Sequence, residues 1–583
     1  MKLLSIHCDS ISYKPLKKAL KQPEELSEER SRDTTVKEAL VIFSAVEKQD
    51  EGNTTLVHSF VKEIIDIAEQ VHAKNIVLYP YAHLSSSLSA PEFALEVMQN
   101  AEKELVEKKY KVWRAPFGYY KEFSLKCKGH PLSELSRVIT SEGTGLKKGE
   151  SKGEVTVEPK ELESLVKKLS KNTMHALRGK NNLKSNVEIG KELDVYLVNE
   201  VVGQGLVLFT PKGTIIKKEI ERFIVDEELK RGYLHTSTPL MAKSDLYKVS
   251  GHWQHYQDSM FCINTGHDIL ALRPMTCPFH FILYKSKNRS YKELPLKYAE
   301  IATLFRNEQS GELRGLTRVR QFTLADAHII CRKDQVEKQF EEVVELLNYV
   351  MKVFDIKDIW YRFSQWDPHN KKKYIDNPQM WEESQKMMKK ILDRLKINYK
   401  EVKGEAAFYG PKLDLQYKDV YDKEETLLTV QIDFALPIRY DLTYLDEKGE
   451  QVRPVVIHRS STGATERLMA FLLEKTQGLL PLWLAPVQVR VINFTDRNNK
   501  SCEKLWKELR EKNVRVDLDL VSEPLAGKIK QAEIEKIPYI VVIGDKEEKA
   551  KALAVRKKGK VTTVKKEKFI ENIIKEIKEK SVF

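Results

Sequence analysis

The sequence predicts a multidomain protein of the α+β and α/β classes, and three observations support this fold class. At 583 residues the chain is long enough for about three or four domains. Strand-like apolar runs alternate with helical periods in residues 1–143 and again in residues 486–583. A Gly-, Lys- and Glu-rich stretch, residues 144–190, separates the first of these regions from the rest.

The composition favours a soluble, core-forming protein with a polyanionic partner. Apolar residues make up 41% and charged residues 31% of the chain, and the formal net charge is +13. Residues 541–583 contain 13 Lys and Arg against 7 Asp and Glu, so part of the surplus lies at one end. A concentrated basic surplus suggests a polyanion as partner. A solvated lysine-rich helix would have the same composition.

The six cysteines are scattered along the chain and lack the spacing of a disulfide framework, which suits a reducing cytosol. The first residues, MKLLSIHCDS, contain too short an apolar run for a signal peptide. No run reaches the ~18 apolar residues of a membrane span. We therefore expect a cytoplasmic protein that has no membrane partner.

Residues 1–143 are expected to form one α/β domain. The strand-like runs are Leu3–His7, Leu40–Val46 and Asn75–Tyr81, and the helical periods are Thr54–His72 and Pro91–Lys108. Polar and aromatic residues follow the strands, among them His83, Tyr120, Lys121 and Glu134. A single histidine at a strand end is commonly structural, so a catalytic and a structural interpretation are both open.

Residues 144–190 are predicted to be a linker with one short helix at about Pro159–Leu169. Its basic residues could touch a nucleic acid, but a solvated tether has the same composition. Residues 191–485 are assigned to a central domain. Within it Thr214–Lys230 is amphipathic, and Gly232 is a plausible helix stop.

The stretch Glu300–His328 is expected to form two antiparallel strands joined by a long loop. Ile301–Phe305 is the first apolar run, and the second extended run is expected to carry Arg318, Arg320 and Phe322. Such a hairpin would set Arg306 and Arg318 on one platform.

Two guanidinium groups on one platform suit a polyphosphate, and the ring of Phe322 offers a flat face to a nucleobase. The alternative is a charged hairpin whose arginines are solvated. The chain has no G-x-x-x-x-G-K-[ST] loop that would support nucleotide binding independently.

Residues 486–583 are predicted to form a last α/β domain with a mixed, partly parallel sheet. The predicted strands are VQVRVINF, VRVDLDL, YIVVIGD and KALAVRKK, and the predicted helices are Lys500–Lys512 and Leu525–Ile534.

Three blocks, in this order along the chain, resemble the motifs of class II aminoacyl-tRNA synthetases. They are GLVLFTPKGTIIKKEIERFIVDEELKRGYLHTSTPLM with Pro239, FRNEQSGELRGLTRVRQFT followed by ADAH, and VIHRSSTGATERLMAF with Gly463, Glu466 and Arg467. The likeness is to threonyl-tRNA synthetases of the archaeal type. It implies an antiparallel-sheet catalytic core in residues 191–485, an α/β editing domain in residues 1–143 and an α/β anticodon-binding domain in residues 486–583. It also implies a homodimer formed through the Thr214–Lys230 helix and the strand that ends at Pro239.

The resemblance implies a zinc site, because that family binds zinc with one Cys and two His. The matching positions are Cys277, His328 and His458. Their spacing alone would not reveal the set, and His280, in C-x-x-H with Cys277, is a rival ligand. Three protein ligands leave coordination open for the amino and hydroxyl groups of threonine. Asp326 can accept a hydrogen bond from that hydroxyl.

The same resemblance implies the remaining site residues. The residues expected to bind ATP are Arg306, Glu308, Arg318, Phe322 and Arg467. The residues expected to bind threonine are Asp326, Tyr409 and Gln431. The residues expected to be catalytic are Arg306, Arg467, His252 and Gln431. Arg306 would neutralise the α-phosphate, and Arg318 and Arg467 the leaving end, assisted by Mg²⁺. Arg467 is expected either over the adenine or at the terminal phosphate. The sequence departs from many family members at CPFH and at Leu324.

YPYAHLSS, APFGYYKEF and GHPLSELSR resemble the archaeal editing domain, which is akin to D-aminoacyl-tRNA deacylases. The likeness implies that His83, Tyr120, Lys121 and Glu134 hold the seryl group and terminal adenosine of mischarged tRNA. A site built for a hydroxyl can reject valine by ~10⁴ or more, whereas serine lacks only a methyl group, worth ~1–3 kcal/mol. A separate serine-removing domain therefore belongs on the chain.

The expected function is ATP-dependent attachment of L-threonine to tRNA(Thr), with hydrolysis of seryl-tRNA(Thr). The rivals are another class II synthetase, prolyl or seryl, and a synthetase-derived tRNA-binding or regulatory paralogue. Such paralogues usually lose motif arginines, and Arg306, Arg318 and Arg467 are all present.

Overall fold

The computed structural model describes residues 1–20, 23–28, 30–85, 87–128, 133–139, 159–169, 171–173, 183–370 and 373–581. The chain divides into two compact units, Met1–Thr156 and Val157–Phe583. Among the described residues, no helix combines the length and the apolar content needed to cross a bilayer.

The first unit is a six-stranded mixed sheet with two helices. Its strands are Lys2–Lys18, Thr34–Ala45, Asn75–Pro80, Lys111–Arg114, Tyr119–Cys127 and Glu134–Val138, and its helices are Leu56–Gln70 and Pro91–Glu107. The second, third and fourth strands are parallel to one another, and the first strand is antiparallel to the second, fifth and sixth. The predicted α/β pattern is therefore confirmed in this unit. Apolar side chains of both helices pack on one face of the sheet.

The first strand is much longer than the predicted Leu3–His7, because Cys8–Lys18 is held by partners distant in sequence. It pairs with Thr34–Ala45 on one side and with Tyr119–Cys127 on the other. The polar and Pro-containing sequence of this extension carries no strand signal of its own.

The second unit is built around an eight-stranded, largely antiparallel sheet. In spatial order its strands are Tyr399–Lys403, Ile359–Gln365, Lys412–Lys418, Glu424–Asp433, Val455–Ala464, Gln321–Cys331, Leu296–Phe305 and Leu234–His235. Only the first and the last neighbouring pairs are parallel within this sheet. Helices Pro211–Lys230, Val336–Val353 and Thr465–Thr476 contribute to the main core of the unit.

Smaller elements complete this part of the chain. The other helices are Pro159–Leu169, Asn186–Glu192, Ser244–Ser250, His252–Tyr256, Cys277–Lys285, Pro378–Arg394 and Leu436–Arg439. The other strands are Tyr196–Val198, Val207–Phe209, Met241–Lys243, Cys262–Asn264, Ile269–Leu272, Tyr444–Leu445 and Gln451–Val452. The helix predicted within the linker is present at Pro159–Leu169, and most of the rest of that linker lies outside the described residues.

The predicted antiparallel hairpin is present, but the extent of its second strand was predicted wrongly. Leu296–Phe305 pairs with Gln321–Cys331, so Arg318 and Arg320 precede the second strand. The backbone turns back just before it, where the amide of Arg314 donates to the carbonyl of Arg318 (3.1 Å). A local turn therefore occupies residues that the sequence pattern placed in an extended run.

The last region is a five-stranded sheet that is half parallel and half antiparallel, as predicted. Its strands are Val489–Asn493, Val516–Asp519, Tyr539–Ile543, Ala552–Lys557 and Lys560–Lys565, and its helices are Asn499–Glu511, Leu525–Ile534, Asp545–Ala550 and Lys566–Lys578. The Asp545–Ala550 helix and the final strand were not predicted, and the final helix was considered only as a solvated lysine-rich helix. That lysine-rich helix is not simply solvated, because Phe569, Ile570 and Ile573 are buried in the core.

Candidate functional site

Strand register assembles the central site from residues that are far apart in sequence. Tyr298 lies opposite His328, His328 opposite His458, His458 opposite Gln431, and Gln431 opposite Lys412. Directly paired residues of neighbouring strands project from the same face of a sheet. One row of the sheet therefore carries both histidines of the expected metal set and one residue expected to touch threonine.

Cys277, His328 and His458 form a cluster of potential metal ligands. One donor atom from each lies within 4.8 Å of the others, and all three residues are buried. Cys277 is the first residue of the Cys277–Lys285 helix, which brings its thiol to the histidine row. A thiolate with two imidazoles is a donor set that suits Zn²⁺ and leaves a coordination position open. The residues therefore fit the expected metal.

Burial sets the protonation of this cluster. Desolvation, and then the neighbouring His458 and His280, lower the pKa of His328 well below its usual value. Desolvation, and then Asp326 and Asp433, raise the pKa of Cys277 well above its usual value. The neutral imidazole is the form that binds a metal, and a bound cation would favour the thiolate.

Each histidine of the cluster has a hydrogen-bond partner behind it. His458 Nε2 lies 2.8 Å from Asp433 Oδ2, and His328 Nδ1 lies 2.7 Å from His280 Nδ1. Such partners orient metal-binding imidazoles. Sequence reasoning missed Asp433, which the strand Glu424–Asp433 brings to His458 from 25 positions away. It treated His280 as a rival ligand.

A cavity of about 300 Å³ opens in front of the cluster and is lined by most of the expected ligand-binding residues. They include Arg306, Glu308, Arg318, Phe322, Leu324, Asp326, Tyr409, Gln431 and Arg467. The Tyr409 hydroxyl donates to Gln431 Oε1, and the Tyr409 ring lies 5.0 Å from that of His458. Desolvation raises the pKa of Asp326, whose carboxylate faces the cluster.

The two hairpin arginines and Phe322 line the same cavity. The Arg306 guanidinium lies 5.1 Å from the centre of the Phe322 ring, and Arg318 Nε lies 3.0 Å from Glu308 Oε2. Arg467 donates from Nη1 to the carbonyl of Thr426 (2.6 Å). The structure thus brings three guanidinium groups and the Cys–His cluster to the wall of one cavity.

Glu466 ties the third motif to the hairpin. Its Oε2 accepts from the amide of Thr323 (2.7 Å), next to Phe322, and its Oε1 accepts from Lys217 of the Pro211–Lys230 helix. The carboxylate therefore holds the strand that presents Phe322. His252, by contrast, is buried and is not among the residues that line this cavity. Its ring lies 6.3 Å from that of Tyr409, and its Nδ1 lies 2.7 Å from Ser250 Oγ.

The first unit has a cavity of its own, of about 410 Å³. Three of the four expected editing residues line it, namely His83, Tyr120 and Lys121, together with aromatic residues such as Tyr79 and Phe123. The fourth, Glu134, begins the strand opposite Ile6, and its side chain lies outside the described part of the chain.

Lys121 is the charged group of this cavity that burial affects most. Its ammonium donates to the carbonyls of Pro116 (2.8 Å) and Tyr119 (3.1 Å) and lies 5.1 Å from the centre of the Tyr79 ring. Desolvation lowers the pKa of Lys121 to about 8. A lysine that titrates near neutrality in an apolar cavity is a common feature of functional sites.

Three protein-family models match the chain in succession. The archaea-specific editing domain of threonyl-tRNA synthetase matches residues 1–139. The class II tRNA synthetase core domain (G, H, P, S and T) matches residues 261–476, and an anticodon-binding domain matches residues 488–580.

Curated relatives match about two thirds of this chain. A threonine–tRNA ligase of Clostridium botulinum is 50% identical over 396 residues, which is 67% of this chain and 62% of that protein. A threonine–tRNA ligase of Staphylococcus epidermidis is 48% identical over 396 residues, which is 67% of this chain and 61% of that protein. The chain thus spans less than two thirds of the length of these relatives.

Solved structures share the fold. The RNA-binding domain of threonyl-tRNA synthetase from Cryptosporidium parvum is 30% identical with a TM-score of 0.64, covering 67% of this chain and 98% of that one. A putative threonyl-tRNA synthetase of Aeropyrum pernix is 28% identical with a TM-score of 0.61, covering 68% and 97%.

Proposed function

This chain belongs to the threonyl-tRNA synthetase family, and from that premise we propose that it activates L-threonine with ATP and transfers it to tRNA(Thr). We further propose that residues 1–143 hydrolyse seryl-tRNA(Thr). The observation that carries the first proposal is the shared cavity, in which the Cys277–His328–His458 cluster faces Arg306, Phe322 and Arg467.

In the proposed site Cys277, His328 and His458 would hold one zinc ion, which would polarise the amino and hydroxyl groups of bound threonine. Asp326 lies in the same cavity and would accept a hydrogen bond from the hydroxyl. Tyr409 and Gln431, already hydrogen-bonded to each other, would line the threonine and ribose side.

ATP would bind at the other end of the cavity, with Mg²⁺ on its phosphates. The Phe322 ring offers a face for the adenine, and Glu308 could accept from the adenine amino group. Arg306 would stabilise the charge that develops on the α-phosphate, while Arg318 and Arg467 would bind the leaving pyrophosphate. Arg306 now lies over the Phe322 ring, so binding of an adenine there would require this guanidinium to move. His252 would assist transfer to the tRNA ribose, and because it is buried and does not line the cavity, this role would require the cavity wall to rearrange.

Hydrolytic editing would be needed because a metal that selects threonine by its ligating groups rejects valine strongly but serine only weakly. Valine offers carbon where the metal needs oxygen, whereas serine keeps both ligating groups and lacks one methyl, worth ~1–3 kcal/mol. Seryl-tRNA would therefore form at a low rate. The cavity of His83, Tyr120 and Lys121 is where we place its hydrolysis, with Glu134 as the fourth residue.

We also propose a homodimer, an anticodon-binding role for residues 486–583 and a cytoplasmic location. Large apolar side chains are exposed on and after the Pro211–Lys230 helix, for example Leu229 (54%), Leu234 (52%) and Leu240 (47%). Contiguous exposed apolar residues commonly mark an interface between subunits. Residues 144–190 would link the editing and catalytic domains, and residues 191–485 would form the catalytic one.

Threonine-dependent ATP–pyrophosphate exchange tests the proposal. We expect activity in the wild type, loss of zinc and at least a 100-fold drop in exchange for Cys277→Ser, and no change for the exposed control Cys262→Ser. Full zinc and full exchange in Cys277→Ser would refute the metal assignment. A wild type that binds tRNA but lacks exchange would favour the rival function, a non-catalytic tRNA-binding paralogue.

A further inference from the structure

We propose that His280 is a positioning residue for the metal centre, which fixes the tautomer and ring orientation of His328. This inference rests on the proposed zinc site but concerns a residue outside the ligand set. His280 is fully buried (0% exposed), and its Nδ1 lies 2.7 Å from His328 Nδ1. The two rings are nearly perpendicular, at 82°, with centroids 4.8 Å apart.

The Cys277–Lys285 helix explains why His280 is where it is. Cys277 and His280 are three positions apart, so they lie on the same face of that helix. The helix therefore supplies a metal ligand with its first residue and a support for a second ligand one turn later. In the C-x-x-H pattern, Cys277 is therefore the ligand and His280 the support. The spacing alone would equally fit two ligands.

Once a metal is bound to His328, only one assignment of donor and acceptor is possible for the contact between His328 Nδ1 and His280 Nδ1. Because His328 Nδ1 faces His280, Nε2 is the His328 nitrogen left for the metal. A neutral imidazole that binds metal through Nε2 carries its proton on Nδ1, so His328 Nδ1 must be the donor. His280 Nδ1 must then be the acceptor, which places the proton of His280 on Nε2.

The surroundings of His280 Nε2 match that requirement. It lies 2.9 Å from Thr236 Oγ1 and 3.6 Å from Glu300 Oε2, both of which can accept from an N–H. The Thr236 hydroxyl can in turn donate to the carbonyl of Ala299 (3.2 Å). An acceptor at each step keeps the proton of His280 on Nε2 and leaves its Nδ1 free to accept.

Glu300 anchors the far end of the chain of hydrogen bonds. It is 4% exposed, pairs with Arg273 Nη1 at 2.8 Å and accepts from Thr238 Oγ1 at 2.8 Å. A buried carboxylate paired in this way is a fixed acceptor. The Thr236 hydroxyl can donate its one proton to Glu300 Oε2 (3.4 Å) in place of the Ala299 carbonyl, so the order from metal to anchor is His328, His280, Thr236 and Glu300.

This arrangement also removes His280 as a rival ligand. Its Nδ1 is engaged with His328 and its Nε2 with Thr236, so neither nitrogen is directed at the cluster. His458 is supported separately, by Asp433. Each of the two histidine ligands thus has its own oriented partner, an arrangement that typically raises metal affinity by 10- to 100-fold.

A matched pair of amide substitutions separates the proposed role from simple packing. In His280→Asn the amide can occupy the place of Nδ1 and accept from His328. In His280→Gln the longer side chain can reach the place of Nε2 instead and cannot accept from His328. His369→Ala, an exposed histidine, serves as the control. Zinc affinity of the full chain is measured by competition with a chromophoric chelator, and the coordination geometry by the visible spectrum of the cobalt-substituted protein.

We expect zinc affinity to fall 10- to 100-fold in His280→Gln, with an altered cobalt spectrum, and to stay within about threefold of wild type in His280→Asn and His369→Ala. Equal affinity in all variants, or equal loss in both amide variants, would overturn the role of His280. A wild type without zinc would instead refute the proposed metal site itself. If His280→Gln does not fold, loss of zinc affinity in a folded His280→Asn variant also overturns the proposal.

Discussion

The two cavities of the chain differ in the chemical groups that line them. The central cavity contains Cys277, His328, His458 and Asp326, all buried. The cavity of the first unit is lined by aromatic rings and carries a single strongly perturbed cation, Lys121. Among the described residues, the Cys–His cluster of the central cavity is the one group with metal-ligand geometry.

We propose that this difference underlies a division of labour between the two cavities. A metal recognises which atoms can ligate it, so it distinguishes hydroxyl from methyl strongly and the presence of an extra methyl weakly. A cavity of fixed shape without a metal can be selective for size instead. In this proposal the first selection rests on ligation in the central cavity and the second on fit in the first unit.

The largest expected effect is a loss of ATP–pyrophosphate exchange when the central cavity is altered, with seryl-tRNA deacylation retained. Arg306→Ala removes a charge aimed at the reacting phosphate and should lower threonine-dependent ATP–pyrophosphate exchange by about 10²–10³. Deacylation of seryl-tRNA(Thr) by the same variant should be unchanged. Arg332→Ala, at a surface pair with Asp334, is the matched control and should retain exchange. If the Arg306 variant lost both activities, the two cavities would not be independent.

The reciprocal effect is expected at the first cavity. Lys121→Met keeps the length of the side chain and removes its charge, and we expect seryl-tRNA deacylation to fall about 10²-fold with threonine exchange unchanged. Lys126→Met, an exposed lysine on the same strand, is the control. Deacylation by Lys121→Met at the wild-type rate would contradict the assignment of this cavity.

The pH dependence of deacylation should reveal the buried lysine. With a pKa of about 8, Lys121 is mostly protonated at pH 7 and mostly neutral at pH 9. If its charge holds the substrate, the enzymatic rate, corrected for spontaneous ester hydrolysis, should fall about tenfold between these values. Because the folded-state pKa lies below the unfolded one, this group makes folding more favourable as pH rises from 8 to ~10. A deacylation rate that does not change between pH 7 and pH 9 would contradict a role for the charge of Lys121 in holding the substrate.

The smallest expected effect is on stability and should spare both activities. The Glu535 carboxylate forms ion pairs with Arg490 (3.0 Å) and Lys212 (3.3 Å). Burial raises the pKa of Glu535, but the hydrogen bonds and positive charges outweigh it and lower the pKa to about 2. Its contribution is complete above the unfolded pKa of about 4.5 and is lost as pH falls towards 2. Glu535→Gln should lower the free energy of unfolding at pH 7 by ~1–2 kcal/mol, measured by denaturant titration. Unchanged stability would show that this cluster contributes little.

Local sequence pattern predicted those helices and strands whose own residues show a clear periodicity or apolar run. Pro91–Glu107 and Leu525–Ile534 have helical periodicity, and Leu296–Phe305 contains an apolar run bounded by turn chemistry. Arg318 and Arg320 were placed wrongly because a turn at Arg314–Arg318 competes with extension there. The Lys560–Lys565 strand is mostly exposed and has no apolar alternation, so only its pairing with Ala552–Lys557 defines it.

The hairpin arginines and Phe322 were predicted from local pattern, whereas the Cys–His cluster was accessible to sequence reasoning only through resemblance. Cys277, His328 and His458 meet because strand register and a helix start bring them together, which residue spacing does not encode. Asp433 escaped notice because a carboxylate two positions after Gln431 is unremarkable until the sheet places it behind His458. The role of His280 depends on hydrogen-bond directions that no sequence pattern carries.

The most direct test of the account compares threonine, serine and valine in ATP–pyrophosphate exchange by the full chain, with its zinc content measured on the same sample. The account predicts about one zinc per chain, a kcat/KM for serine ~10–200-fold below that for threonine, and a kcat/KM for valine at least ~10⁴-fold below it. An active sample without metal, or one that rejects serine as strongly as valine, would contradict selection by ligation.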